Sequence, residues 1–485
     1  MVLVLKNKQL PSINLSDLEI LSMVNSFQAG DLLAAKKKAI SITKLFPDYP
    51  TSWKILGAIY QQSEEFDLAL LAKQKSVLID PEDFENHYNL GNLLKNIGDF
   101  ELAKKSYKKT LELQPDHYQS YFNLGHIAHN LGDLGEAETY YLKSIELNPN
   151  SLDSYNNLGL ILKSCNMYKE AIINFKKALS INSNFADSEI NLGITQQIIG
   201  DIDSASSSFK NVLTYNPRSY LSLFYLHTTY YRNMKLDLKK GIECLERAFN
   251  IEPYNNLVTF FLGVLSYYNG NKELSDFYHS NLDKKNPLVF AQIDSWNWIK
   301  KSTSKLPLLF WEKNDGFEFA FKSTIKNGLI LEFGVASGQS INKLATMTNQ
   351  NIHGFDTFKG LPENWNHLSK GAFDNDGVPP KAPNHVKFHV GLFEETLPSF
   401  MNKNKSAIKF LNIDCDLYSS TKTIFKFLGD RVTSGTIIFF DEYFGYKGWK
   451  NHEFKAFQEA AKIYSWSYEY LAINIYRQQV VIKIL

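Results

Sequence analysis

Cysteine is scarce in this chain. Its 485 residues include three, Cys165, Cys244 and Cys415. They lie far apart, form no CxxC pair and have no histidine cluster at zinc-ligand spacing, which excludes a disulfide framework and a structural zinc finger. One is necessarily unpaired, so a reducing, cytoplasmic compartment is expected. Excess charge of either sign is also missing. The formal net charge is +1, which removes the electrostatic case for nucleic acid or an anionic membrane surface. No apolar run reaches the length of a membrane span, and the longest, near Leu257–Leu265, contains Thr and Gly. The opening MVLVLKNKQL puts its apolar residues before the first Lys, the reverse of a secretory leader. What remains is a globular composition, 44% hydrophobic and 21% charged, in a chain too long for one core.

What the chain does have is a period. Prolines fall at Pro47, Pro81, Pro115, Pro149, Pro217, Pro253 and Pro287, with Ser183 in the one gap. Successive steps are 34 residues except a 36-residue step from Pro217 to Pro253. Within each unit the same types recur. Leu-Gly pairs stand at 56–57, 90–91, 124–125, 158–159 and 192–193, where Leu fills a core and Gly admits a second helix. Gly-Asp turns follow at 30–31, 98–99, 132–133 and 200–201, suited to positive φ and to capping. Small residues (Ala35, Ala69, Ala103, Ala137, Ala171, Ala205) mark the helix crossing, and Tyr107, Tyr141, Phe175 and Phe209 follow four residues after the last four of these. This pattern resembles the tetratricopeptide repeat family over residues 16–287, about eight units after a short lead (1–15). The resemblance implies an all-α superhelix. Its concave face, rich in Tyr88, Asn89, Tyr121, Asn123, Tyr155 and Asn156, is expected either to bind a protein or peptide partner or to serve assembly alone; an oligomer is possible.

Past Pro287 the period stops. Residues 288–327 are rich in aromatics (Trp296, Trp298, Phe310, Trp311, Phe317), which fits docking helices better than a flexible linker. From 328 to 485 short β runs alternate with helical stretches, with strands expected at 329–335, 351–355, 386–390, 408–414, 436–440, 467–472 and 480–485. The fold class is therefore α plus α/β: a repeat superhelix followed by a Rossmann-like domain with a mostly parallel, seven-stranded sheet. Ligands of such sheets bind beyond the carboxyl ends of the strands.

Polar motifs stand at those ends. The first reads Leu331-Glu332-Phe333-Gly334-Val335-Ala336-Ser337-Gly338-Gln339-Ser340. Its GxxxG spacing, preceded by a carboxylate, suits a ligand with a cationic amino group, such as S-adenosylmethionine, better than a pyrophosphate. Asp356 ends the second strand, where an acid accepts from ribose hydroxyls or else caps a helix. Asp414 and the pair Asp441-Glu442 end two neighbouring strands, and no basic residue adjoins them in sequence. Crowded carboxylates repel unless a cation sits among them, and hard oxygen ligands suit Mg²⁺. A metal on a substrate hydroxyl lowers its pKa, and Asp414 could take the proton. Asp416 is either a supporting acid or a cap.

The segments 332–340, 356–362, 391–398, 414–421 and 441–443 resemble the macrocin O-methyltransferase family, most specifically in the D-x-D-L-Y-x-S-T string at Asp414–Thr421. That resemblance implies a class I, S-adenosylmethionine- and Mg²⁺-dependent methyltransferase acting on hydroxyls, often of sugars. It also implies a cofactor site of Glu332, Gly334, Ala336, Ser337, Gly338 and Ser340, then Asp356, Thr357 and Phe358, then Gly391, Leu392 and Phe393. Asp414, Asp441 and Glu442 would hold the metal, with Asp414 as catalytic residue. The family usually has Asp-Asp-Tyr where this chain has Asp441-Glu442-Tyr443; the extra methylene keeps the ligand type and alters its reach. The polar insertion 358–385 supplies candidate substrate contacts, Trp365, His367, Phe373 and Asp374. His452 is a base or a surface cap. The expected function is O-methylation of a sugar, glycan or secondary metabolite. The alternatives are a scaffold with an inactive methyltransferase-like domain, and a protein methyltransferase that captures its target in the repeat groove.

Overall fold

The computed structural model describes residues 17–232, 234–324, 327–365 and 369–485. His367 and the 1–15 lead fall outside them. The chain divides into two compact units, Met1–Thr195 and Gln196–Leu485. Each is described by itself.

The first unit is a run of antiparallel helix pairs: Asp17–Gln28 with Leu32–Leu45, Pro50–Gln62 with Phe66–Ile79, Phe84–Asn96 with Phe100–Leu113, Tyr118–Asn130 with Leu134–Leu147, and Leu152–Ser164 with Tyr168–Ile181. The repeated residues do what their chemistry predicts. Asp31, Asp99 and Asp133 accept from the backbone N–H groups of Ala34, Leu102 and Glu136 at 3.0, 3.1 and 2.9 Å. The preceding glycines hold φ of +79° to +85°, a region closed to most side chains. The Leu-Gly glycines make room for a ring: a Cβ at Gly91, Gly125 or Gly159 would lie 2.8, 2.9 or 2.5 Å from Tyr107, Tyr141 or Phe175. Those rings are fully buried, so each of these three repeats closes on one aromatic wedge.

In the second unit the 36-residue step takes a local form. Helix Tyr220–Thr228 stops early, and an antiparallel ribbon, β1 (Tyr231–Arg232) with β2 (Lys235–Leu236), leads into Leu238–Ile251. Helices Asn256–Tyr268, Lys272–Ser280 and Pro287–Ser302 follow.

The sheet has eight strands where seven were expected. They are β3 (Leu308–Leu309), β4 (Leu329–Phe333), β5 (Ile352–Asp356), β6 (Val386–Val390), β7 (Ile408–Ile413), β8 (Val432–Phe440), β9 (Tyr468–Asn474) and β10 (Gln479–Ile484), in the order β3-β9-β10-β8-β7-β4-β5-β6. The additional strand is β3, a two-residue piece of the aromatic segment that pairs parallel to β9. Two residues cannot show an alternating pattern, so sequence periodicity cannot detect it. Strand β10 runs antiparallel to both neighbours, and the other pairings are parallel. Chain order reverses at β4, between β5 and β7, and opens a crevice at their carboxyl ends.

The aromatic segment is core, not linker. Trp311 stacks on Tyr476 at 4.8 Å and meets Phe224 and Phe261 at 6.0 and 5.5 Å. One apolar cluster therefore runs from the last repeat helices through Trp311 and Trp296 into the sheet. His227 is fully buried in it. Its Nδ1 meets the Phe224 carbonyl, and burial pushes its pKa down to about 3.

Two outcomes follow from this packing. Trp311→Ala removes a large side chain shared by the repeat helices and the sheet and is expected to cost about 3–5 kcal/mol, read by denaturant unfolding. His227 is neutral in the folded state to about pH 3, whereas an unfolded histidine protonates near 6.5. Below that pH the unfolded chain binds the additional proton, so the His227 contribution is complete above 6.5. It is lost as pH falls, by about 1.4 kcal/mol per pH unit. In His227→Phe, unfolding measured between pH 7.5 and 5 should lack that part of the acid slope.

Candidate functional site

Three turns meet at the carboxyl ends of β4, β5 and β6. Gly334 leaves β4 with φ +84°, and a Cβ there would sit 1.7 Å from the carbonyl oxygen of Asp414. Only glycine fits, because the turn lies directly on the backbone of the acidic strand end. Ala336 also takes positive φ (+44°), and Gly338, at +82°, opens helix Gln339–Met347. Glu332 is fully buried. Its Oε1 accepts from the Ser340 hydroxyl at 2.7 Å, and its Oε2 has no partner among the described residues. Burial pushes it up to about 7, against the pull of Ser340. Asn412, its register partner on β7, is equally buried, and its side-chain amide joins Ser340 in pulling the Glu332 carboxyl down against burial. Buried polar groups are normally paired. This pair of residues is therefore suited to a polar ligand in the crevice.

Asp356 ties the turns together. Its Oδ2 accepts from the N–H groups of Val335 and Ala336 at 2.7 and 2.9 Å, and its Oδ1 from that of Phe358 at 2.7 Å. Its backbone carbonyl accepts from Gly391 N–H at 3.0 Å. Thr357 donates to the Gly360 carbonyl. Ser337 is exposed beside Gly338, and Leu392 is half-buried. Phe393 opens helix Phe393–Lys403 and sets its ring edge-on to Phe333 at 5.2 Å. The predicted cofactor residues are thus contiguous, with one qualification. The Phe358 side chain is fully buried against Phe388, so this residue offers a ligand only its backbone.

The acids converge on the next strand ends. Asp414 follows β7 and donates its N–H to the Phe333 carbonyl at 2.9 Å; Asp441 follows β8 and donates to the Ile413 carbonyl at 3.1 Å. One carboxylate oxygen each from Asp414, Asp441 and Glu442 lies within 4.8 Å of the others. The sequence places no base beside them, but the fold does. Lys313, at the start of helix Lys313–Lys322, puts its Nζ 3.1 Å from Asp414 Oδ2 and 2.8 Å from Asp441 Oδ1. Gln479 adds a 2.6 Å hydrogen bond to Asp441 Oδ1.

One ammonium does not neutralise the group. Burial and Asp441 push Asp414 up to about 8, against Lys313. Burial, opposed by a hydrogen bond from Glu442, raises Asp416 to about 6. Glu442 is pushed well up by burial, then by Asp441 and Asp414. Burial works against the Lys313 charge, but Asp414, Asp441 and Glu442 outweigh it and raise its pKa. Glu453, fully buried and not foreseen, accepts from Cys415 N–H at 3.4 Å and is likewise pushed up by burial and by Asp416. Surplus negative charge at one rim is the condition under which a divalent cation binds.

The insertion contributes unevenly. Trp365 is half-buried and edges toward Tyr446 and His452 at 6.1 and 6.4 Å. Glu363 accepts from Ser419 at 2.5 Å, fixing the insertion to the Asp414–Thr421 string. Phe373 is 57% exposed and Asp374 faces solvent, so the structure does not bring these two to the site. His452 heads helix Glu453–Ile463 without capping it through its side chain. The residues that sequence reasoning missed are Lys313, Asn412, Tyr446 and Glu453. Lys313 lies 101 positions before Asp414, and no motif links them.

A methyltransferase-domain family matches residues 331–443, and tetratricopeptide repeat families match 85–117, 118–151 and 140–173. The chain thus carries tetratricopeptide repeats in its N-terminal half and a methyltransferase domain after them. Similar solved structures include the MamA protein at 27% identity, covering 35% of this chain and 92% of that one, TM-score 0.32. YrrB, described as a TPR protein with an unusual peptide-binding site, is 24% identical, covering 39% and 95%, TM-score 0.33. A tetratricopeptide repeat protein from Parabacteroides merdae is 16% identical, covering 51% and 98%, TM-score 0.42. No curated protein matches the chain.

Lys313→Met tests the charge balance directly. The ammonium and its partners are partly exposed, with side-chain exposures of 32%, 24% and 14% for Lys313, Asp414 and Asp441, so water screens part of the effect. The variant should unfold about 1–3 kcal/mol more easily in chelator. Added Mg²⁺ should recover more stability in the variant than in the parent, as read from melting curves.

Proposed function

We propose that the C-terminal domain is an S-adenosylmethionine- and Mg²⁺-dependent O-methyltransferase acting on a hydroxyl of a sugar, glycan or secondary metabolite. The repeat array holds a protein or peptide partner. One observation carries the reading: the Asp414, Asp441 and Glu442 carboxylates converge beside a glycine turn that touches the backbone of Asp414 itself. A cofactor crevice and a hard-ligand cluster are thereby set edge to edge.

The residues present fit both groups. The unpartnered, buried oxygen of Glu332 suits a cationic amino group. Asp356 already takes three backbone N–H groups, and a carboxylate has about four acceptor positions, which leaves room for a ribose hydroxyl. The cofactor supplies an electrophilic methyl group, and the metal lowers the pKa of the acceptor hydroxyl. Asp414, Asp441 and Glu442 would hold the metal and orient the hydroxyl, and Asp414 would take the hydroxyl proton.

Lys313 favours a second reading, in which its ammonium fills the cation's place and the domain binds cofactor as a non-catalytic scaffold. Calorimetric titration with S-adenosylmethionine, with and without Mg²⁺ and with NAD as control, separates the two. The enzyme reading expects Mg²⁺-linked binding and none for NAD. It also expects Asp414→Asn to lower methyl transfer at least about 100-fold with the fold intact. Unchanged transfer in that variant would remove Asp414 from the chemistry.

A further inference from the structure

Two histidines face each other across the outermost strands of the sheet. Strand β6 ends the strand order, with β5 as its neighbour. His353 Nδ1 on β5 lies 3.0 Å from His389 Nε2 on β6, so one nitrogen donates and the other accepts. His389 stacks on Phe355 at 4.5 Å, and His353 and His389 stand edge-on to Phe400 at 4.8 and 5.1 Å. Both imidazoles are half-buried. Phe355 is the register partner of His389, and Asp356 that of Val390. The next residue, Gly391, donates its N–H to the Asp356 carbonyl at 3.0 Å. The histidine bond is therefore the side-chain link just before the backbone link that holds the Gly391 turn to the Asp356 turn.

The charges that face the pair are positive. Burial, then His389 and Lys387, pushes His353 down to about 4. Burial, then Lys403 at the end of helix Phe393–Lys403, lowers His389. The acids of that helix, Glu394 and Glu395, stand in its first turn, where Glu395 accepts from the Leu392 N–H at 3.3 Å. Asp356 is committed to three backbone N–H groups. Helix Gln339–Met347 lies on the opposite face of β5, where Ile341 meets Gly354. A first proton puts a charge between aromatic rings and beside two lysines. A second makes both facing nitrogens donors, and the bond is lost.

We infer that the His353–His389 pair is a proton-operated latch, whose protonation parts the carboxyl end of β6 from β5 and frees the Gly391 turn. Because Gly391, Leu392 and Phe393 are assigned to the cofactor side, the consequence for S-adenosylmethionine rests on the proposed function; the latch itself does not. His353 stays neutral in the closed strand pair to about pH 4, whereas a freed histidine takes up a proton near 6.5. The latch is fully closed above 6.5 and weakens as pH falls. At pH 5 its opening is favoured about 30-fold relative to pH 7.5.

Hydrogen exchange of the backbone amides of residues 386–393 is measured on the full chain at pH 7.5 and pH 5, corrected for intrinsic exchange. Their opening should rise at least about tenfold at pH 5 in the parent, while the amides of β7, inside the sheet, hold steady. His353→Gln combined with His389→Gln allows a hydrogen bond between the strands and removes both protonation sites, so its 386–393 amides should open equally at the two pH values. His389→Phe, which keeps a ring on Phe355 and removes one site, should respond less than the parent. S-adenosylmethionine, titrated at the same two pH values, should lose more affinity at pH 5 for the parent than for the double Gln variant. Equal losses would overturn the link to the cofactor. Absence of binding at both pH values would instead overturn the cofactor reading, with the exchange result still deciding on the latch. The latch is overturned if parent and double variant show the same change at 386–393.

Discussion

Carboxylates held together away from bulk water must find positive charge, and the site end of this domain is organised by that requirement. Asp414, Asp416, Asp441, Glu442 and Glu453 gather where β7 and β8 end, because a parallel sheet brings successive strand ends to one rim. Mutual repulsion and lost hydration push several of them up in pKa. The nearest relief within the protein is Lys313, and the position of Lys313 depends on the segment that carries it.

That segment is held by burial of large apolar surface. Pairing of Leu308–Leu309 with β9 fixes its height on the sheet. Trp311, stacked on Tyr476, fixes its lateral position, and Asn474 donates to the Trp311 carbonyl at 2.5 Å. Two residues further on, Lys313 reaches the acids. Because Trp311 also packs against Phe224 and Phe261, the last repeat helices and the acidic rim share one support. Those helices and the base of the Lys313 helix are therefore joined by packed side chains.

The repeats obey a different constraint, the fit of one wedge per helix pair. A glycine on the first helix and an aromatic on the second are complementary halves of that fit. Lys73 is the exception that makes the rule informative. Its methylenes fill the slot over Gly57 and its ammonium reaches the Asn89 carbonyl, where the three following helix pairs place a ring.

The sequence by itself determined everything that is local or periodic. The 34-residue spacing, the Gly-Asp turns and their caps, the alternation of strand and helix after residue 328, and the three turn motifs were all legible, because backbone sterics and short-range hydrogen bonds act within a few residues. Asp414, Asp441 and Glu442 could be grouped because neighbouring parallel strands end together. Tertiary structure decided what depends on distant chain segments. It added the eighth strand, too short to carry a pattern, and brought Lys313 among acids a hundred positions away. It buried Phe358, set Phe373 out in solvent and turned Asp356 into a clasp between turns. Packing and electrostatics in three dimensions set these outcomes, and neither leaves a spacing in the chain to be read.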